Sequence, residues 1–161
     1  MTIVEWVGNR PKRFEELTNL LLGGERRIQV RAAWPLSYCV EQHPRLVLPH
    51  LRRLVKYLRH PDIDGAVKRS IVRLLQFVDV PKGLQGQVAD CCFAFVANPS
   101  EAPAIRAFAM TVADNLTRSN PDLRRELHLI LVDQLSYATP AFTSRARKIL
   151  GIKKHCREIG S

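Results

Sequence analysis

The chain has 161 residues, 46% of them hydrophobic, which suffices for one globular domain with its own core. Lys and Arg number 25 against 15 Asp and Glu, and the resulting formal charge of +10 attracts polyanions without specifying a fold. No run of about 18 apolar residues could span a bilayer, and residues 1–14 lack the basic-then-apolar order of a secretory signal, so we expect a cytoplasmic protein.

Apolar residues recur at helical spacing along the whole chain, and the alternation typical of a strand never lasts beyond a few residues. Turn residues divide this pattern into eight predicted helices. The first begins with Asn9 as its N-cap and ends at Gly23-Gly24, and the second contains Pro35, which predicts a kink. The second to eighth helices are predicted over 25–42, 46–59, 64–78, 84–97, 101–118, 120–137 and 139–150.

The helices pair into hairpins, and the clearest pair occupies residues 49–75, with its turn at residues 60–65. Each hairpin leaves an apolar stripe that it cannot bury alone, so it needs neighbours. We therefore predict an all-α, single-domain solenoid, an α-α superhelix of about four helical hairpins. The four hairpins are predicted at residues 9–43, 44–80, 81–120 and 121–151. Residues 1–8 form an N-terminal extension that is either docked on the first hairpin or disordered, and residues 152–161 form a basic C-terminal tail.

A repeat emerges when the hairpins are compared by position, at successive offsets of 37, 38 and 39 residues. At these offsets, residues at equivalent positions of the four hairpins form five columns of similar residues. Two apolar columns lie on the first helices, and one column of turn residues consists mostly of good helix caps. On the second helices, an apolar column is followed directly by a basic column. The columns are Leu17, Leu54, Cys92 and Leu131; Leu21, Leu58, Val96 and Leu135; Glu25, Asp62, Ser100 and Thr139; Val30, Val67, Ile105 and Ser144; and Arg31, Lys68, Arg106 and Arg145.

The turn carboxylate of Asp62, followed five residues later by Val67 and Lys68, resembles the HEAT-repeat signature. Residues 31–36, 48–51 and 107–110 also resemble a group of short bacterial HEAT-like proteins of unknown function, some of them loosely labelled adenylosuccinate lyase. The signature loop of that lyase family has no counterpart in the chain. The resemblance covers nearly the whole chain, implies a HEAT or armadillo-type solenoid and supplies no catalytic residue.

The basic column admits two interpretations. It could be a binding stripe, since it recurs once per repeat along one side of the stack. In HEAT repeats, however, such residues bond to turn carboxylates and carbonyls of adjacent units, and Asp62 or Asp64 would suit Lys68 or Arg106. The structural interpretation is favoured, because charges that already have partners bind little else.

The predicted function is that of a non-catalytic interaction or scaffold module that binds an unidentified protein partner. We expect the working surface on the concave side, formed by the second helices. We predict no cofactor, no membrane association and no small-molecule substrate. The candidate outward residues on this side are Arg31, Lys68, Arg69, Val72, Arg73, Arg106, Met110 and Asp114.

A nucleic-acid alternative depends on a different basic face. Arg52, Lys56 and Arg59 are three or four residues apart and share one side of a helix, where phosphate contacts would be sensitive to salt. Arg124 and Arg125 add positive charge on a later helix. The same pattern is typical of the solvated side of any amphipathic helix, and no aromatic residues alternate with these cations.

The enzymatic hypothesis is a DNA glycosylase, because certain alkylpurine DNA glycosylases are built on HEAT-like repeats. The nearest candidates for an aromatic, an acidic and a basic group are Trp34, Asp114 and Arg106. The repeat aligns Trp34 with Ile71 and Ala109, which predicts packing in the core and not base stacking.

No other motif indicates chemistry. The histidines lack the spacing of metal ligands, and no glycine-rich phosphate loop or nucleophile motif is present, so no catalytic residue and no metal site are predicted. The four cysteines form no regular framework and are expected to be reduced thiols.

Overall fold

The computed structural model describes residues 1–152, which contain helices and turns and no strand, so the all-α prediction is confirmed. No helix in this range is long and apolar enough to cross a bilayer. The helices are α1 Ile3–Val7, α2 Pro11–Gly23, α3 Arg26–Gln42, a 3-10 helix Pro44–His50, α4 Leu51–Leu58, α5 Gly65–Leu75, α6 Lys82–Ala97, α7 Pro103–Thr117, α8 Pro121–Gln134 and α9 Pro140–Leu150. Residues 153–161 of the predicted basic tail lie outside the described residues.

The helices lie in two rows. In the second-helix row, α3 packs against α5, α5 against α7 and α7 against α9. The first-helix row contains α2, the 3-10 helix with α4, then α6 and α8, and each of its members also packs on the second-helix row. Because each element buries its apolar stripe against its neighbours in the stack, the core is continuous along the chain, and the solenoid prediction is confirmed.

The N-terminal residues form a short docked helix. Thr2 and Glu5 make a reciprocal capping box at the start of α1, which packs against α2 and α3. Val7 is fully buried. Gly8 ends the helix with a φ of +50°, in the left-handed region that glycine adopts without a steric penalty.

The two internal prolines have different effects. Pro35 lies inside α3, which continues through it. Pro49 falls in the helix predicted over 46–59, which is divided into the 3-10 helix and the eight-residue α4. The reason is that Pro49 donates no N–H to the preceding turn and disfavours the α conformation of Leu48.

Side chains also cap α5, α8 and α9, and Thr139 is the predicted cap among them. The side chains of Asn120 and Thr139 accept hydrogen bonds from the first turns of α8 and α9. At α5 the cap is Asp64, whose carboxylate accepts from the Ala66 N–H at 2.8 Å. α2 and α7 instead begin with a proline, whose missing N–H needs no cap. The predicted side-chain caps that the structure does not use are Asn9, Asp62 and Ser100.

The hairpins differ in the number of residues between equivalent core positions of their two helices, and this difference changes which face of α3 is buried. Leu21 of α2 and Ala32 of α3 are core residues 11 positions apart, whereas the equivalent Leu58 and Val67 are 9 apart. Two residues correspond to about 200° around a helix of 3.6 residues per turn. The buried faces of α3 and α5 therefore match at an offset of 35 residues, not 37, and the matched residues are Ala32 with Val67, Leu36 with Ile71, Cys39 with Leu74, and Val40 with Leu75.

The predicted basic column is consequently wrong outside the two central hairpins. Lys68 and Arg106 are equivalent, because the buried faces of α5 and α7 match at the predicted offset of 38. In α3 the equivalent residue is the buried Ala33, not Arg31. In α9 the buried residue that matches Ile105 is Phe142, not Ser144, so Arg145 also leaves the column. Differences in the number of residues between equivalent core positions of successive helices, as is usual in repeats, cause both errors.

Candidate interaction surface

Trp34 lies on the solvent side of α3 and is 42% exposed, so the prediction that it packs in the core is wrong. Because of the two-residue shift, its structural equivalent on α5 is Arg69 and not the buried Ile71. Tyr38, one turn further along α3, packs edge-on against the Trp34 ring, with 5.2 Å between ring centroids. Two aromatic rings thus lie together on the outer side of the second-helix row.

Two arginines of α5 lie over these rings. The Arg73 guanidinium carbon is 4.4 Å from the Tyr38 ring centroid and 5.2 Å from those of Trp34 and Phe77. The Arg69 guanidinium carbon is 5.7 Å from the Trp34 centroid. All four distances are within the roughly 6 Å over which a cation is attracted to a ring face. We call Trp34, Tyr38, Arg69, Arg73 and Phe77 the arginine–aromatic cluster.

The two arginines of the cluster differ in whether other residues hold their guanidinium groups in place. Arg73 donates hydrogen bonds to the Glu41 carboxylate at 2.6 Å and to the Ser37 hydroxyl at 3.2 Å, and its side chain is 12% exposed. Arg69 is exposed and makes no hydrogen bond or ion pair with a described residue. The cluster therefore combines a fixed guanidinium with an exposed indole and an exposed guanidinium.

The positive charge of the chain is concentrated on the second-helix row. Helices α3, α5, α7 and α9 together carry ten Lys and Arg residues against two acidic residues, Glu41 and Asp114. The helices of the first-helix row carry nine basic and six acidic residues. A polyanionic partner is therefore attracted to the side of the molecule that holds the arginine–aromatic cluster.

Lys68 links two hairpins. Its ammonium lies 2.5 Å from the Glu101 carboxylate, in the turn of the next hairpin, and 4.5 Å from the Phe95 ring centroid. This contact to an adjacent unit is of the kind that the structural interpretation of the basic column predicts. The carboxylate expected for it is different, because Asp64 pairs with Arg26 at 2.8 Å.

Arg106 is not an outward residue. It is 7% exposed and donates to the Val96 carbonyl at 2.8 Å and to the Gln134 side chain at 2.6 Å, tying α7 to α6 and α8. Met110 and Val72 are fully buried. The expectation that these three residues face a partner is wrong, because α5 and α7 are flanked on both sides within their row and also covered by the first helices.

Asp114 is partly buried and paired with two arginines. Its carboxylate accepts from Arg124 and, at 3.2 Å, from Arg118. The structure therefore does not bring Trp34, Asp114 and Arg106 together as a site. Asp114 is already paired with two arginines, and the Arg106 guanidinium is buried between helices. Helix α5 lies between α3, which carries Trp34, and α7, which carries the other two residues. The geometry expected of a base-excising site is not formed.

The remaining members of the predicted column have different surroundings. Arg31 is exposed and has no hydrogen-bond partner within residues 1–152. Arg145 donates to the Ala107 carbonyl at 2.6 Å and to the Thr111 hydroxyl at 3.0 Å. Because Thr111 is equivalent to Arg73 at the offset of 38, Arg145 continues the outer side of the row beyond the arginine–aromatic cluster.

The alternative basic face does not form one surface. Arg52 and Lys56 are exposed on α4, and Arg59 lies 3.6 Å from Asp90 of α6. α6 separates α4 from α8. On α8, Arg124 is bound to Asp114 and to the Ile149 carbonyl, and Arg125 is paired with Asp122. Of these five basic residues, therefore, only Arg52 and Lys56 have no partner among the described residues.

The cysteines of the described part are buried. Burial raises the pKa of Cys39 to about 11 and raises the pKa of Cys92 further, so the reactive thiolate is disfavoured at both. Cys91 is also buried and unpaired, and Cys156 lies outside the described residues. No group of His, Cys, Asp and Glu residues that could hold a metal ion occurs within residues 1–152.

Comparison with protein families finds a match to a model described as a HEAT repeat domain, over residues 1–153. Comparison with curated proteins and with solved structures finds no match.

Proposed function

The chain belongs to the HEAT repeat domain family, and we propose that it is a non-catalytic interaction module that binds an acidic segment of a protein partner along its second helices. Helical repeats of this family typically mediate protein interactions. The observation that carries the proposal is the arginine–aromatic cluster on the outer side of α3 and α5. Tryptophan, tyrosine and arginine are the residues that most often dominate the binding energy of protein interfaces.

The cluster is arranged for binding before a partner arrives. The contacts of Arg73 with Glu41 and Ser37 hold its guanidinium against the Tyr38 ring, so little side-chain freedom is lost there on association. Trp34 offers an exposed apolar face, and Arg69 beside it offers an exposed cation. An acidic segment that also carries apolar side chains satisfies both groups.

The charge distribution supports an acidic partner. With ten basic and two acidic residues on its helices, the second-helix row attracts such a segment before contact is made. Complementary charge of this kind mainly increases the association rate, whereas the buried anchors determine how long the complex lasts. Trp34 is the candidate anchor.

Tryptophan fluorescence provides a direct test. The chain has two tryptophans, so a Trp6→Phe variant makes Trp34 the sole reporter. We expect a blocked peptide of alternating Glu and Leu to change Trp34 emission saturably, and its Gln and Leu counterpart to have no effect. Arg69→Gln is expected to weaken binding about fivefold, equivalent to about 1 kcal/mol.

The matched control is Arg52→Gln, which removes an exposed arginine from α4. This change should leave the affinity for the acidic peptide unaltered. Equal losses from Arg69→Gln and Arg52→Gln would show that net charge, and not the cluster, governs binding. Equal binding of the Glu and Gln peptides would contradict the acidic partner.

Nucleic-acid binding is the second candidate, and one observation now favours it. Trp34 lies beside Arg69 and Tyr38 beside Arg73, whereas the sequence predicts no aromatic residues alternating with the cations of α4. Exposed rings beside arginines can stack bases while the cations contact phosphates. An oligothymidylate that changes Trp34 emission, with affinity falling steeply as salt rises, would support this candidate over the acidic peptide.

A further inference from the structure

A pocket of about 170 Å³ lies between the N-terminal ends of α7 and α9, away from the arginine–aromatic cluster. Its lining includes the apolar side chains of Pro103 and Phe142 and, beneath the surface, the fully buried Met110. Arg106 and Arg145 also line it and bring two positive charges. An apolar cavity with a few convergent polar groups is the usual form of a ligand site.

Arg106 is a buried cation without an acidic partner among the described residues. Its Nη2 donates to Val96 and Gln134, while its Nε is buried and makes no hydrogen bond. Nη1 also has no hydrogen-bond partner among the described residues. Desolvation by burial lowers the pKa of Arg106. A buried charge of this kind is costly until an anion reaches it.

The carboxylate that lines the pocket already has partners for both of its oxygens. Glu101 lines the pocket, but one of its oxygens accepts from Lys68 and the other from the Ala102 N–H. The N-terminus of α7 has no side-chain cap bond, and the positive ends of the α7 and α9 dipoles both point toward this region. The local charge therefore favours a further anion, in addition to Glu101.

We propose that this pocket binds a small monocarboxylate with a short apolar chain, whose carboxylate accepts hydrogen bonds from Arg106. The chain of the ligand packs against Pro103 and Phe142. The pocket, at about 170 Å³, is small, so a short carboxylate such as butanoate is the appropriate probe.

Methionine methyl resonances test the proposal without a functional assay. The chain has two methionines, Met110 in the pocket and Met1 at the N-terminus, so labelled methionine gives one reporter and one internal control. We expect butanoate to shift the Met110 methyl resonance saturably, at a dissociation constant of roughly 1 mM for so small a ligand. The Met1 resonance should not move.

The controls separate charge from shape. Butanamide has the shape of butanoate without its charge and should bind at least tenfold more weakly. Inorganic phosphate, which has charge without an apolar chain, should not shift Met110. Equal shifts with butanoate and butanamide, or no shift with butanoate, would overturn the proposal.

Two variants test the location of the site. Ala107→Leu fills the pocket and leaves Arg106 unchanged, so it should abolish the butanoate shift in a folded protein; persistence of the shift would overturn the proposal. Arg106→Gln should also abolish the butanoate shift. Because this substitution removes the hydrogen bonds to Val96 and Gln134, the circular dichroism spectrum of the variant must first match that of the wild type. Trp34 emission does not report on this pocket, so this proposal and the proposed function fail independently.

Discussion

Leu74 of α5 tests whether the second-helix row forms the core of a solenoid. The side chain is fully buried on a helix that packs against α3 and α7. Leu74→Ala removes three carbon groups, a transfer loss of about 2.4 kcal/mol at about 0.8 kcal/mol each. The cavity that remains adds to this loss, so the total is expected at about 3–4 kcal/mol, within the range of about 2–5 kcal/mol for buried leucines.

Thermal and urea unfolding measure the effect. For a chain of this length a loss of 1 kcal/mol lowers the Tm by about 2–4 °C, so Leu74→Ala should lower it by roughly 6–16 °C. Leu129→Ala is the matched control, because Leu129 is 73% exposed, and it should change stability by no more than about 0.5 kcal/mol. Leu58→Ala, at 2% exposure, should behave like Leu74→Ala. Equal small losses in all three variants would refute the assignment of the core face.

Three further predictions concern pairs, thiols and pH. A double-mutant cycle with Lys68→Met and Glu101→Gln should give a coupling energy of about 1–3 kcal/mol in urea unfolding, and additive losses would mean that the pair does not join the hairpins. Cys39 and Cys92 should resist iodoacetamide at pH 8 in the folded protein and react in urea, as peptide mass spectrometry would show; labelling of either in the native state contradicts their burial. The pKa of Asp64 is lowered from its ordinary value of 3.8, mainly by the hydrogen bond from the Ala66 N–H and then by the Arg26 guanidinium. The ionised carboxylate therefore stabilises the folded state at pH values above 3.8. This stabilisation is lost as the pH falls through the lower pKa of the folded state. Urea unfolding between pH 2 and 6 should therefore show the difference between wild type and Asp64→Asn shrinking at low pH, and a constant difference would contradict the assignment.

The position of the arginine–aromatic cluster was only half predictable. The sequence predicts Arg69 and Arg73 as outward residues of α5. It predicts Trp34 in the core, because a single offset of 37 residues relates both helices of the first hairpin to those of the second. A signal for the correct assignment was present in α3 itself, where Ala32, Leu36 and Val40 form an apolar stripe without Trp34.

Sequence alone determined the class of fold, most of the helices and the buried columns of the first-helix row, such as Leu17, Leu54 and Cys92. It could do so because helical periodicity, proline and glycine act within a few residues of the chain. Only the tertiary structure decided which face of α3 and α9 is buried, and hence that Trp34 is exposed. It also decided that Arg106 has no acidic partner among residues 1–152. Two residues more or fewer between the core positions of successive helices rotate the next helix by about 200°, and only the packing of that helix against its neighbours shows which face they cover.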